Sequence, residues 1–348
     1  MQTSICQIKD NTINNKRDVT LDMMKGVGIF SVVLAHFISS CRHLIYSFHM
    51  PLFFIISGIL FSPRGIKETI HKDFKRLVVP YLIVCLIYLI LDLLRTIVTH
   101  ENIGVSILKI SSNIIFPQYK PQLSSFLTLN LGGLMIWFLL ALFWCKTIYN
   151  IFVNKIKTNM TIPISFILSV LAIHIDDYID LPFSILNGMG ALFFFAIGYW
   201  IKKNKNKFPC QLLISFIICT IVWLFFAIFT SKQNIELYAN RYDLYPLDIL
   251  IAIGGTFIVW ILCKYIFYRF TIINKILVLS GRNSLLIYCL HVIDLQSFIP
   301  SVVFIEFIPG YSRIIYVGGI FLLYLFVSSF LYRIKFVRNT FGVTKWSN

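Results

Sequence analysis

The chain is 348 residues long, 58% hydrophobic and only 13% charged, with a mean hydropathy of +0.80. That composition excludes a soluble globular domain and points to a membrane. The formal net charge of +16 is dispersed among short segments between apolar runs, which is a signal of membrane topology and not of nucleic-acid binding.

After a polar tail at residues 1–19, apolar runs fit to cross about 30 Å of hydrocarbon recur along the chain. They fall at residues 20–39, 45–62, 77–98, 131–149, 160–175, 183–201, 211–230, 246–267, 276–299 and 313–333. The expected fold is an all-α integral membrane protein of about ten transmembrane helices. It forms a single polytopic domain over 1–348 that ends in a tail at 334–348. The first run follows a long polar stretch and leads into further spans, so it reads as an uncleaved signal anchor. Most of the 31 Lys and Arg lie in the tails and in alternate connecting segments, which puts both termini in the cytoplasm by the positive-inside rule. The eight cysteines show no metal-type spacing and no disulfide framework, so no metal site is expected.

In chain order, the first ionisable residues inside a span are Asp22, Lys25 and His36. Lys25 and His36 are eleven positions apart, so at about 100° per residue they share a helix face, separated by about 16 Å along the axis. Ionisable groups are expensive in hydrocarbon and mark sites, although a lone imidazole also serves as a packed partner of a neighbouring helix. In the second run, His49 precedes Pro51, which either kinks the helix and turns the ring toward a cavity or marks a broken helix end. The stretch between the second and third runs carries Arg64, Lys67, Lys72, Lys75 and Arg76. These cations suit a polyanionic donor, and equally suit anionic lipid or simple topology. The loop at 99–130 contains an apolar run, Ile103 to Phe116, that can dip back into the membrane. Acids and tyrosines gather in the outer loops, among them Asp176, Asp177, Asp180, Glu236, Tyr238, Asp243 and Tyr245, a mixture that suits carbohydrate or a plain interfacial surface. Late in the chain, Ser280, Ser284 and His291 fall on one helical face with Asp294 a turn further, able to orient a second imidazole, to bind the acceptor, or to glue helices together. No glycine loop of the phosphate-cradling type is present.

The segment LDMMKGVGIFSVVLAH, followed by SFHMPLFFIISG, the basic run KDFKRLVVPY and the late GRNSLLIYCLH, resembles the acyltransferase 3 family of polytopic membrane O-acyltransferases, with the closest likeness to the branch that acetylates sugars. The family's basic residue, ten spacers and histidine are matched by Lys25 and His36, with Lys in place of the usual Arg. The resemblance implies His36 as general base or transient acyl carrier and Lys25 as a donor-side or charge-stabilising group. His49, His291, Asp22 and Ser284 are possible catalytic or acceptor-binding residues. Arg64, Lys72, Lys75 and Arg76 would bind the donor.

By that resemblance no cofactor is permanently bound. Acyl-CoA, most simply acetyl-CoA, is the cosubstrate, and the acceptor is a hydroxyl of a surface polysaccharide or of its lipid-linked sugar precursor. The partners are this glycan, the donor and membrane lipid, without nucleic acid, at the bacterial cytoplasmic membrane. The alternative is a transporter or flippase of lipid-linked sugars or small solutes, because intramembrane charges and interrupted helices also mark transport paths.

Overall fold

The computed structural model describes residues 18–117, 134–157, 160–204, 210–229, 235–297 and 299–341. Helix α1 (Val19–Phe37) opens at Asp18, whose carboxylate accepts from the amides of Thr20 and Leu21 at 3.0 and 3.3 Å and so satisfies two orphan donors. It stops at Ile38, which turns extended. The chain reverses through α2 (Arg42–Tyr46) into α3 (His49–Leu60), which runs back beside α1 with Leu52 and Phe53 against Gly28. A short α4 (Ile66–Asp73) then passes through a π-helical segment into α5 (Val79–Thr99).

Helix α6 (Ile103–Ile115) folds back along α5. The Tyr81 hydroxyl donates to the Ile114 carbonyl at 2.5 Å and the Thr96 hydroxyl to that of Ser106 at 2.9 Å, so the apolar run in this loop lies against a span. Residues 118–133, which take in the rest of that loop and the start of the fourth expected run, lie outside the described residues. The bundle continues through α7 (Trp137–Lys155), α8 (Thr161–Asp176), α9 (Ile185–Gly190), α10 (Leu192–Lys203) and α11 (Cys210–Phe229). A two-stranded antiparallel hairpin, β1 (Ile235–Glu236) and β2 (Arg241–Tyr242), leads to α12 (Leu247–Ile261). It closes with α13 (Thr271–Arg282), α14 (Ser284–Leu295), α15 (Ser312–Leu331) and the short α16 (Lys335–Thr340).

The protein is helical with almost no strand. Among the described residues, six helices are long and apolar enough to cross a membrane, or eight if each of two bent pairs counts as one span. Ten spans are not reached, although each expected run contains helix among its described residues. Three further apolar helices, Ile103–Ile115, Thr161–Asp176 and Leu213–Phe229, are shorter over the described residues. Pro182–Gly190 meets Leu192–Lys203 at 52°, and Thr271–Arg282 meets Ser284–Leu295 at 77°.

Two helix crossings position the site. A Cβ on Gly26 would stand 2.1 Å from the Leu277 carbonyl oxygen and one on Gly281 1.7 Å from that of Asp22, so α1 and α13 touch backbone to backbone. The same occurs between α3 and α10, where a Cβ on Gly58 would meet the Phe195 oxygen at 2.1 Å and one on Gly198 the Ile55 oxygen at 2.0 Å. Small residues at membrane-helix interfaces permit such approach.

Candidate active site

The predicted first-span residues occupy the two ends of one helix. Near the α1 N-terminus, Asp22 is only 2% exposed and is met by Lys25 at 3.7 Å and by the Arg282 guanidinium at 3.4 Å. A buried carboxylate with two cations keeps a net positive charge at this end. The sequence does not single out Arg282; the α1–α13 crossing carries it to Asp22. His36 stands in the last turn of α1, half-buried, and the rise of 1.5 Å per residue sets it about 16 Å along the axis from Lys25.

Three imidazoles assemble around that second end. The His36 and His291 rings lie 5.2 Å apart between centroids, tilted by 53°, with Phe37 stacked 6.3 Å from His291. His49 is buried and lies within electrostatic reach of His36. Its Nδ1 is 2.8 Å from the Ile45 carbonyl, so Nδ1 carries the proton and donates while Nε2 is left as an acceptor. His49 begins α3 after a break at Ser47 and Phe48. Pro51 therefore sits in a first helical turn, where no intrahelical amide is needed, and does not kink a helix interior.

His291 is fully buried, and neither of its ring nitrogens has a hydrogen-bond partner among the described residues. The expected stripe of Ser280, Ser284 and His291 is not formed. The bend at Asn283 puts Ser280 on α13 and Ser284 with His291 on α14. Periodicity does not cross a broken helix, and Asn283 is itself buried, donating to the Ser328 and Ser329 hydroxyls at 3.2 and 3.0 Å. Asp294 does not orient His291. Its carboxylate accepts from the Ser301 amide and hydroxyl and, at 2.7 Å, from the Tyr324 hydroxyl. The Tyr324 ring is in turn 5.8 Å from His291.

The β hairpin lies at the imidazole end. Asn187 donates from its side-chain amide to the Leu237 and Tyr238 carbonyls at 2.9 and 2.8 Å, which fixes the turn. The Tyr238 hydroxyl donates to Glu236, and burial together with that carboxylate holds the phenol well above its ordinary pKa, so it stays a neutral donor. Glu236 also acts electrostatically on Tyr46, whose ring is 5.1 Å from His49. Arg42 acts on His36, making it a nearby cation that sequence reasoning did not single out, and its Nε donates to the Ala35 carbonyl at 3.3 Å. Tyr245 instead lines a small cleft with Ser169, Phe193, Tyr242 and Ile249.

The basic segment sits at the other end of α3. Arg64 and Lys72 flank Glu68 at 3.9 and 2.7 Å on exposed α4, and Lys75 and Arg76 are also exposed. Its backbone is held by Asn150 and Asn154, whose amides donate to the Arg64 carbonyl at 3.0 Å, and by the buried ion pair of Asp73 with Lys146. Part-way along α1, Phe30 meets Phe321 edge-on at 5.1 Å, and next to His36 at the helix end Phe37 meets Tyr316 at 6.2 Å. Among the described residues, no three His, Cys, Asp or Glu side chains are grouped as a metal would require.

The acyltransferase 3 family model, described as an acyltransferase domain, matches residues 18–333. The chain belongs to the acyltransferase 3 family. The match takes in both ends of α1, the basic segment, the hairpin and the histidine of α14. No curated protein and no solved structure matches the chain. With its apolar helices, this acyltransferase 3 member is a multi-pass membrane acyltransferase.

Proposed function

We propose that this membrane acyltransferase transfers an acyl group, acetyl in the simplest case, from acyl-CoA to a hydroxyl of a cell-surface polysaccharide or of its lipid-linked sugar precursor. The observation that carries the reading is the half-buried His36, set among two further imidazoles about 16 Å along α1 from Lys25, which Arg282 of α13 joins at Asp22. Coenzyme A is a polyanion with its reactive sulfur at the end of a long flexible arm. Its phosphates fit the end bearing Lys25, Arg282 and the basic residues Arg64, Lys72, Lys75 and Arg76, and its extended arm brings the thioester toward His36. At that distance Lys25 cannot also stabilise charge on the reacting carbonyl, so its role is donor binding.

At His36 the acceptor hydroxyl loses its proton as its oxygen attacks the thioester carbon, a step suited to a neutral imidazole. Glu236, Tyr238 and Tyr46 offer hydrogen bonds and a flat apolar face at the same end, which is the chemistry that recognises a sugar. The enzyme sits in the bacterial cytoplasmic membrane with both termini cytoplasmic, as the distribution of Lys and Arg favours.

The test is incorporation of label from radiolabelled acetyl-CoA into lipid-linked sugar or polysaccharide by membranes with and without the protein. Protein-dependent incorporation, together with an added acyl mass on glycans of cells that carry the gene, is the expected result. No transfer to any glycan fraction, combined with a defect in moving lipid-linked sugar, would instead identify a carrier.

A further inference from the structure

Burial of an imidazole with both nitrogens unpaired is costly, because each unmade hydrogen bond of a buried polar group leaves its desolvation uncompensated. His291 is in that state. An apolar residue of similar size would fill the same place without the penalty, so packing alone does not account for a histidine there. Its surroundings are also selective. The polar groups of neighbouring Asp294 and Tyr324 are engaged with each other, and the imidazole of His36, 5.2 Å away between centroids, is the titratable ring set directly against it. His49 differs, since the Ile45 carbonyl fixes its tautomer.

We infer that His291 is the positioning residue for His36: in the reacting state the two rings share a hydrogen bond that sets which His36 nitrogen faces the acceptor hydroxyl. The inference rests on His36 being the base. A small ring rotation from the observed tilt brings a nitrogen of each ring into contact, with His36 donating and His291 accepting. His291 is suited to accept because no group among the described residues competes for its lone pair. The remaining His36 nitrogen is then unprotonated and available to the acceptor. As the oxygen–acyl bond forms and the carbon–sulfur bond breaks, the hydroxyl proton moves to His36 and its charge is shared with His291. The proton leaves the pair for the departing thiolate, giving the ester and coenzyme A as a free thiol.

The test uses the full chain in membranes, radiolabelled acetyl-CoA and endogenous lipid-linked sugars, with His291→Leu, His291→Ala, His36→Asn and the double variant. The expected result for His291→Leu is a kcat about 10²-fold lower with both KM values unchanged, and a melting temperature in detergent equal to or above the wild type. Added imidazole restores turnover to His291→Ala, which a purely structural residue would not permit. The double variant is no slower than His36→Asn alone, because residues acting as a unit are not additive. Near-wild-type turnover in His291→Leu overturns the inference while leaving His36 as base. Should His291→Leu fail to accumulate, absence of imidazole rescue in His291→Ala overturns it instead. Full turnover in His36→Asn removes the proposed base itself, a separate failure.

Discussion

Lys25 occupies a position where the family pattern usually has arginine, and its contact with Asp22 at 3.7 Å shows how a compact ammonium serves there. Lysine is a point charge on a flexible stem, whereas arginine is a planar fork able to grip two oxygens at once. Asp22 already engages a guanidinium, that of Arg282, so a second fork finds a partner in place. We predict that Lys25→Arg retains activity and that Lys25→Ala raises the apparent KM for acyl-CoA about tenfold, the effect of losing one charge-assisted contact. Steady-state kinetics with varied donor checks this, and a KM rise confined to the acceptor would count against a donor-side Lys25. At this scale the sequence was informative where both members of a motif lie on one helix, as Lys25 and His36 do. It could not show Arg282 beside Asp22, or His291 against His36, since these partners are brought together by tertiary packing across most of the chain.

Helices in this bundle are placed by contacts between backbones as much as by apolar faces. At the crossing of α3 with α10, a methyl group on Gly198 would sit 2.0 Å from the Ile55 carbonyl oxygen and 3.0 Å from the Ile59 nitrogen, both main-chain atoms that cannot rotate aside. Overpacking of a tight contact costs about 1 to 3 kcal/mol, so Gly198→Ala is predicted to lower the melting temperature of the detergent-purified protein by several degrees. An unaltered melting curve would mean that the two helices separate freely. The apolar runs were legible as helices because twenty or so hydrophobic residues in water-free surroundings have little choice but to pair their backbone groups internally. Their continuity was less legible. Asn283 interrupts an apolar pattern without a proline, and only its serine partners on α15 reveal that the chain bends there, which is why the stripe read through Ser280 dissolved.

At the scale of the bundle, the candidate donor-side cations and the imidazoles lie at opposite helix ends. The cations of α4 and its continuation lie at the Lys25 end, held by the Asp73–Lys146 pair and the asparagines of α7, while the imidazoles and the Glu236 hairpin lie at the other. We predict that neutralising Lys72, Lys75 and Arg76 together raises the acyl-CoA KM well before it alters the acceptor KM. Reporter fusions after Lys207 and near Asp177 in the same variant verify that insertion is unchanged. Unaltered donor kinetics in a correctly inserted protein would return these cations to topology alone. Composition and loop charge gave the membrane class, but span number depended on lengths and bends that hydropathy does not resolve, as in the 16 residues of Thr161–Asp176.

The rings between the two ends of α1 have a bearing on energy coupling. A helix with a carboxylate and ammonium near one end and imidazoles near the other is a partial wire for protons, and a cell living on its proton gradient cannot tolerate a short circuit through an enzyme waiting for substrate. Phe30 against Phe321, set between Lys25 and His36 along α1, interrupts that wire with hydrocarbon. Liposomes holding the wild-type protein are therefore expected to retain an imposed pH gradient, whereas those holding Phe30→Ala with Phe321→Ala discharge it faster, as read by an internal pH dye. Equal retention by both would place the electrical insulation elsewhere in the bundle.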